Sequence, residues 1–377
     1  MAVYLDFCAT TPVDHRVSAV VQHFMETEFG NAGSRTHEFG MTAAHAVEEA
    51  RSHVANGCGA IPEEVLFTSG ATEANNLALL GLGPHAQDSG RRHALALSIE
   101  HKAVLEPFES LAKSQGIEVE RVPVGECGWV DPDEISKRLR PDTFVVSTMH
   151  ANNETGVIQP LSEIAKVLLD HPALWHVDAA QSFGKCDGLA EERIDLISMS
   201  GHKLYGPMGV GALIARRRGY ERPPLTPLMF GGGQERGLRP GTVPVPLVAG
   251  LGEACRLALS EQEKRSSACA AERSKATKAF EALDPIYNGD QERVLPHVMN
   301  LSIPGLDAEA AMMILRDLVA ISNGSACTSS SYEPSHVLSA MGLAPERASG
   351  ALRASWSHDP VLVDWEDVAE RLADALR

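Results

Sequence analysis

The chain has 377 residues, 44% hydrophobic and 22% charged, with a formal net charge of −17. That length exceeds what one core usually organises, and the composition is that of an ordinary globular enzyme. The acidity argues against a nucleic-acid groove, which needs Lys and Arg to neutralise phosphates.

The chain opens M-A-V-Y-L-D-F-C-A-T-T-P, without a cationic start leading into an apolar stretch, and no run of about 18 apolar residues follows anywhere. The sequence therefore predicts neither a signal peptide nor a membrane span, and a cytoplasmic location. Cys8, Cys58, Cys127, Cys186, Cys255, Cys269 and Cys327 are widely spaced with no C-x-x-C pair. Free thiols are expected rather than a disulfide framework or a zinc ribbon. The histidines form no H-E-x-x-H pair, so no metal site is expected.

From about Ala60 to Ala215, short β-rich runs alternate with stretches that can hold a helix. The runs, in order, are E-V-L-F-T, A-L-A-L-S-I, I-E-V-E-R-V, T-F-V-V-S-T-M, L-W-H-V-D, I-D-L-I-S-M and G-V-G-A-L-I-A. Such alternation predicts an α/β fold with a mostly parallel sheet flanked by helices, and the wholly apolar runs suit strands buried on both faces. Residues 223–246 are rich in Gly and Pro, and a long charged helical stretch is predicted from Leu247 to about Leu283. The remainder reads as a smaller C-terminal α+β unit. The expected division is a large domain over 15–259 and a small one formed by 1–14 with 260–377.

Ligands of open α/β sheets bind beyond the carboxyl ends of the strands. E-V-L-F-T ends in S-G-A-T-E-A-N-N, a small-residue turn opening a helix near Thr72. A helix start with free N–H groups favours a phosphate, although Ser69 or Thr72 as a plain N-cap would give the same pattern. A-L-A-L-S-I leads to His101, which alone would be an ordinary rim residue. T-F-V-V-S-T-M leads to Asn152, which alone would be turn chemistry. L-W-H-V-D ends in Asp178, with Gln181 three residues on, and I-D-L-I-S-M leads to Ser200, His202 and Lys203. A lysine at the end of a core strand is costly unless its amine is engaged. An anion site, a carboxylate and one strand-end lysine together suit pyridoxal phosphate, whose aldehyde condenses with a lysine amine.

Eight ordered motifs carry a resemblance over nearly the whole chain. They are Y-L-D-x-x-A-T-T-P (4–12), F-T-S-G-A-T-E-A-N-N (67–76), E-H-K-A-V-L-E (100–106) and N-N-E-T-G (152–156). H-V-D-A-A-Q (176–181), S-G-H-K-L-Y-G-P (200–207), R-P-G-T (239–242) and G-S-A-C-T-S (324–329) follow. In this order they resemble the cysteine desulfurases, pyridoxal-phosphate enzymes of fold type I and of the class V aminotransferase type. The resemblance implies that Lys203 carries the cofactor covalently, His101 lies against its ring, Asp178 pairs with its nitrogen and Gln181 with its phenolic oxygen. Ala71, Thr72, Ser200 and His202 would bind its phosphate, and Thr242 would reach the phosphate of a neighbouring subunit, making a homodimer. Asn152 and Arg353 would hold the carboxylate of L-cysteine. Cys327, in the small-residue run N-G-S-A-C-T-S-S-S, would take the sulfur as a persulfide and pass it to acceptor proteins, as in the first desulfurase group. L-Alanine is the other product, and His101 the implied proton shuttle.

Three positions depart from the commonest wording: Phe7-Cys8, Met208 and Pro240. Cys8 is read as structural. Rival readings are another reaction on the same cofactor, an aminotransferase or selenocysteine lyase, and a silent partner-binding scaffold. Iron–sulfur assembly, tRNA thiolation and DNA phosphorothioation all draw on such enzymes, and the G-G-G-Q-E-R-G-L-R-P-G-T wording most resembles the phosphorothioation type.

Overall fold

The computed structural model describes residues 2–323, 335–360 and 362–376. Strand β1 (Val3–Tyr4) opens the chain. Seven strands then form one sheet: β2 (Val65–Thr68), β3 (His93–Leu97), β4 (Glu118–Val122), β5 (Thr143–Met149), β6 (Leu174–Asp178), β7 (Leu196–Ser200) and β8 (Gly211–Ala215). Every β-rich run of the sequence became one of them. The sheet order is β2-β8-β7-β6-β5-β3-β4. The pairs β7–β6, β6–β5, β5–β3 and β3–β4 are parallel, whereas β8 runs antiparallel to both β2 and β7. Connection length explains the exception: parallel neighbours need a crossover of about a dozen residues or more, and the turn from Ser200 to Gly211 is shorter. Strands β2, β3, β5, β6 and β7 are buried along their full length, as a sheet covered on both faces requires.

The helical stretch expected from Leu247 to Leu283 is two helices, Val245–Ser260 and Gln262–Phe280, separated at Glu261. The first is largely apolar and buries Val248, Leu251 and Cys255, while the second buries few residues. At the break, the Glu261 carboxylate is drawn to Arg16 (2.6 Å) and Arg265 (2.7 Å). Beyond it lie β9 (Ile286–Tyr287), β10 (Val298–Ser302), β11 (Val319–Ala320) and β12 (Ala351–Ser355). They make a three-stranded sheet β12-β10-β9 and a parallel pair, β1 with β11. A separate apolar cluster joins Leu5 to Phe280, Met299, Leu352, Trp356 and Trp365. Val337, Leu338 and Met341 instead share the large cluster with the helices of the main sheet. No helix among the described residues is long and apolar enough to cross a membrane.

Two core histidines make the fold acid-sensitive. His176, in the middle of β6, lies between Ser147 Oγ (2.8 Å) and Ser198 Oγ (3.0 Å), and burial pushes its pKa down to about 4. Burial likewise lowers His150 to about 4. The unfolded chain takes up these protons near pH 6.5, whereas the folded chain refuses them until about pH 4. Stability present above pH 6.5 is therefore lost as pH falls toward 4, by roughly 3 kcal/mol per ring at the bottom of that window. Urea midpoints measured from pH 7.5 to 4.5 are expected to fall, and His176→Gln to flatten the slope.

Candidate active site

A cavity of about 490 Å³ opens at the carboxyl ends of β2, β3, β5, β6 and β7. Ala71, Thr72, His101, Asp178, Gln181, Ser200, His202, Lys203 and Arg353 all line it. Strand order gathers most of them at the strand ends or in the turns and helix starts that follow, whereas Arg353 comes from the middle of β12.

The turn after β2 leads into helix Ala71–Gly81, whose N-cap is Gly70 at φ 154, a conformation that favours glycine. No side chain caps this helix start, so its first N–H groups face the cavity edge unsatisfied by the usual device. Its approach to the sheet depends on Gly211 of β8: a Cβ there would meet Met199 O at 2.4 Å and Gly70 Cα at 2.7 Å. Asp178, the last residue of β6, is almost fully buried and accepts from Asn75 Nδ2 (2.8 Å) and the Ala180 N–H (2.9 Å). Its carboxylate is thereby held in one orientation at the cavity floor.

Lys203 closes the short 3₁₀ turn Gly201–Lys203 after β7. Its Nζ donates to the Cys8 and Ala9 carbonyl oxygens, the latter at 2.9 Å. The next residue but one, Tyr205, takes the left-handed conformation (φ 64), unusual for a side chain of this size. Thr11 Oγ1 accepts from its N–H (2.9 Å), and its hydroxyl donates to Ser357 (3.1 Å). The N-terminal segment thus braces the turn: Thr11 also donates to His202 O through its N–H (2.9 Å) and its hydroxyl (3.0 Å). His202 Nδ1 lies 3.1 Å from Thr10 Oγ1. Burial, then the charges of Lys203 and Lys185, lower the His202 pKa to about 4, so the ring is neutral near pH 7.

His101 caps helix Lys102–Gln115, its Nδ1 accepting from the Ala103 N–H (3.1 Å). That bond leaves Nε2 as the protonated nitrogen of the neutral ring. Burial lowers its pKa, opposed by Asp178 and reinforced by Lys203. Gln181 donates to Cys8 O (2.8 Å), and its own Oε1 is buried with no partner. Asn75 Oδ1 is likewise unpartnered. Buried amide oxygens that lack donors are costly unless a ligand completes them. Together with the uncapped helix start, the Lys203 amine and the Asp178 carboxylate, they fit the hydroxyl, phosphate, aldehyde and ring nitrogen of pyridoxal phosphate.

Asn152 differs from the sequence expectation. Its side chain is fully buried and turned inward: Nδ2 donates to Ile99 O (3.2 Å), and Oδ1 accepts from the N–H groups of Glu154 (2.8 Å) and Thr155 (2.9 Å). The amide is consumed in shaping its own turn, and the neighbouring Asn153 lines the cavity instead. Thr242 is exposed and is not part of the lining. Cys327 lies outside the described residues. Sequence reasoning missed Asn75, although it sits within the quoted T-E-A-N-N run one helical turn from Ala71, and it missed the backbone of Cys8 and Ala9. Glu100 was also passed over: it is fully buried, neither carboxyl oxygen has a partner, and burial with the nearby Asp178 raises its pKa well above the usual carboxylate range.

A model of the family described as aminotransferase class V matches residues 3–360. The cysteine desulfurase IscS of Klebsiella pneumoniae (strain 342) is 42% identical over 359 residues, 94% of this chain and 88% of that protein. A mitochondrial cysteine desulfurase of Arthroderma benhamiae is 44% identical over 354 residues, 93% of this chain and 70% of the relative. Among solved structures, DndA from Streptomyces lividans is 51% identical, with a TM-score of 0.83 over 93% of this chain and 98% of that one. A NifS-like protein is 35% identical, with a TM-score of 0.90 over 100% of this chain and 99% of that one.

Proposed function

Because the chain belongs to the class V aminotransferase family and is a pyridoxal-phosphate-dependent cysteine desulfurase, we propose that its 490 Å³ cavity is where L-cysteine becomes L-alanine, leaving its sulfur on Cys327 as a persulfide. The observation that carries this reading is the convergence of Lys203, Asp178, Gln181 and His101 on one cavity with Arg353 on its wall. Lys203 would hold the cofactor. Asp178, oriented by Asn75, would keep the ring nitrogen protonated, and the Gln181 amide would hydrogen-bond the phenolic oxygen. Ala71, Thr72, Ser200 and His202 would take the phosphate, the helix start supplying N–H donors and a favourable dipole. The bound cofactor withdraws electrons from the Cα of the amino acid.

Arg353 would orient that amino acid by its carboxylate, with Asn153 beside it in the role that the resemblance implies for Asn152. His101, neutral at working pH, would accept and return protons, as an imidazole of suitable pKa does. Cys327 would then attack the substrate sulfur.

The active form in this reading is a cytoplasmic homodimer. Met25, Phe29, Phe39 and Met41 are 57%, 67%, 49% and 55% exposed, and Phe230 is 86% exposed in the segment that also carries Thr242. A second copy covering these residues would bring Thr242 to its neighbour's phosphate. For the sulfur acceptor we favour a DNA-phosphorothioation protein over an iron–sulfur scaffold. The R-P-G-T wording and the 51% identity to DndA support this, while the 42% identity to IscS proteins supports the second reading. The test is to load the chain with ³⁵S-cysteine and offer purified acceptors of both kinds at equal concentration. Faster transfer to the phosphorothioation acceptor is expected, and preferential transfer to the cluster scaffold reverses the assignment.

A further inference from the structure

Arg353 is placed on β12 with its side chain only 1% exposed. Its Nη1 donates to Asn153 O (2.9 Å), and its Nη2 to Asp6 Oδ1 (2.6 Å) and Ser322 Oγ (3.4 Å). Nε is buried without a partner. The guanidinium that lines the cavity is therefore already ion-paired, and donors remain for a ligand. The other nearby acid, Glu154, accepts from Ser335 Oγ at 2.5 Å, and burial raises its pKa, which weakens it as a counter-charge. Asp6 is left as the principal negative partner.

We propose that Asp6 is a positioning residue that limits how tightly Arg353 holds an amino-acid carboxylate, so that product alanine can leave. The inference rests on the reading of Arg353 as the carboxylate-binding group. Cysteine and alanine carry the same carboxylate, so a contact there binds substrate and product alike and does nothing by itself for turnover. A desolvated guanidinium lacking a counter-charge would take an incoming carboxylate as its only partner and release it slowly. With Asp6 at 2.6 Å, the incoming group shares a cation that is already compensated, while the Asn153 and Ser322 contacts keep the fork in place.

Asp6→Asn keeps the shape and an acceptor oxygen but removes the charge. In the holoenzyme, the KM for cysteine and the inhibition constant for L-alanine are both expected to fall about tenfold, a modest share of what close charge pairs contribute. Turnover should fall with them as alanine release slows, and L-alanine should raise the melting temperature more than it does in the wild type. Asp6→Ala, which removes the same charge while the Asn153 and Ser322 contacts remain, should lower both constants in the same direction. If asparagine unfolds the chain, Asp6→Ser is measured in the same way. Arg353→Ala separates the two ideas. If it abolishes alanine binding while Asp6→Asn leaves both constants unchanged, the role given to Asp6 is wrong. If Arg353→Ala leaves cysteine and alanine binding intact, the assignment of Arg353 itself fails.

Discussion

Lys203→Ala is expected to yield a folded chain whose desulfurase turnover is lower by roughly 10⁴-fold or more, the scale of loss when a covalent catalyst is removed. The turn does not need the lysine side chain. Leu204 and Gly206 donate to Gly201 O at 3.1 and 3.0 Å, and Thr11 grips His202 O from the N-terminal segment. Both carbonyls that Nζ contacts lose that donor, but Cys8 O keeps its bond from Gln181. Thermal denaturation should therefore move little while activity collapses. Lys203→Arg sharpens the test. Arginine preserves the positive charge and the donors, but it stays protonated and cannot condense with an aldehyde. If Lys203 acts covalently, arginine is as inactive as alanine. If it acts only as a cation near Asp178 and His101, arginine retains much of the turnover, and the assignment falls. Borohydride reduction followed by peptide mapping should place the cofactor label on residue 203 in the wild type and nowhere in either variant.

The parts of this site that could be read from sequence share one property: they are side chains at strand ends. Asp178, Ser200 and His101 were legible because β3, β6 and β7 are short apolar runs whose last residues must emerge at the same edge of a parallel sheet. The cradle around them was not legible. Cys8 O and Ala9 O meet Lys203 through backbone atoms, which carry no residue signature. Asn75 reaches Asp178 across 103 positions of sequence, and Arg353 reaches Asp6 across 347. That Asn153 rather than Asn152 lines the cavity follows from a turn that points one amide inward, a difference of one residue that motif spacing does not resolve. The interruption at Glu261 has the same origin: helical pattern runs through it, and the pull of Arg16, 245 positions away, does not show in a local window. Local chemistry was visible, and long-range pairing was not.

Cys327→Ser separates desulfuration from every other reaction this cofactor supports. In the proposed step the substrate's Cβ–S bond breaks and a new S–S bond forms to Cys327. The electron pair of the broken bond stays on the carbon fragment, which becomes alanine once protonated. The attacking atom must be a thiolate, because the thiol form is a poor nucleophile and a serine hydroxyl stays protonated at neutral pH. The variant is expected to bind cofactor and cysteine as the wild type does, yet to lose sulfur transfer by at least about 10³-fold, with no added sulfur on the chain by mass spectrometry. Cys8→Ser is the matching control. Cys8 is 1% exposed, and its backbone N–H is tied to Ser355 Oγ at 2.9 Å, so it is expected to leave the persulfide on Cys327 unchanged. An aminotransferase has no use for Cys327, and a selenocysteine lyase would keep releasing selenide without it. Undiminished sulfur release from cysteine by Cys327→Ser would end the persulfide reading. Loss in the Cys8 variant instead would move the sulfur-carrying role to Cys8, which also lines the cavity.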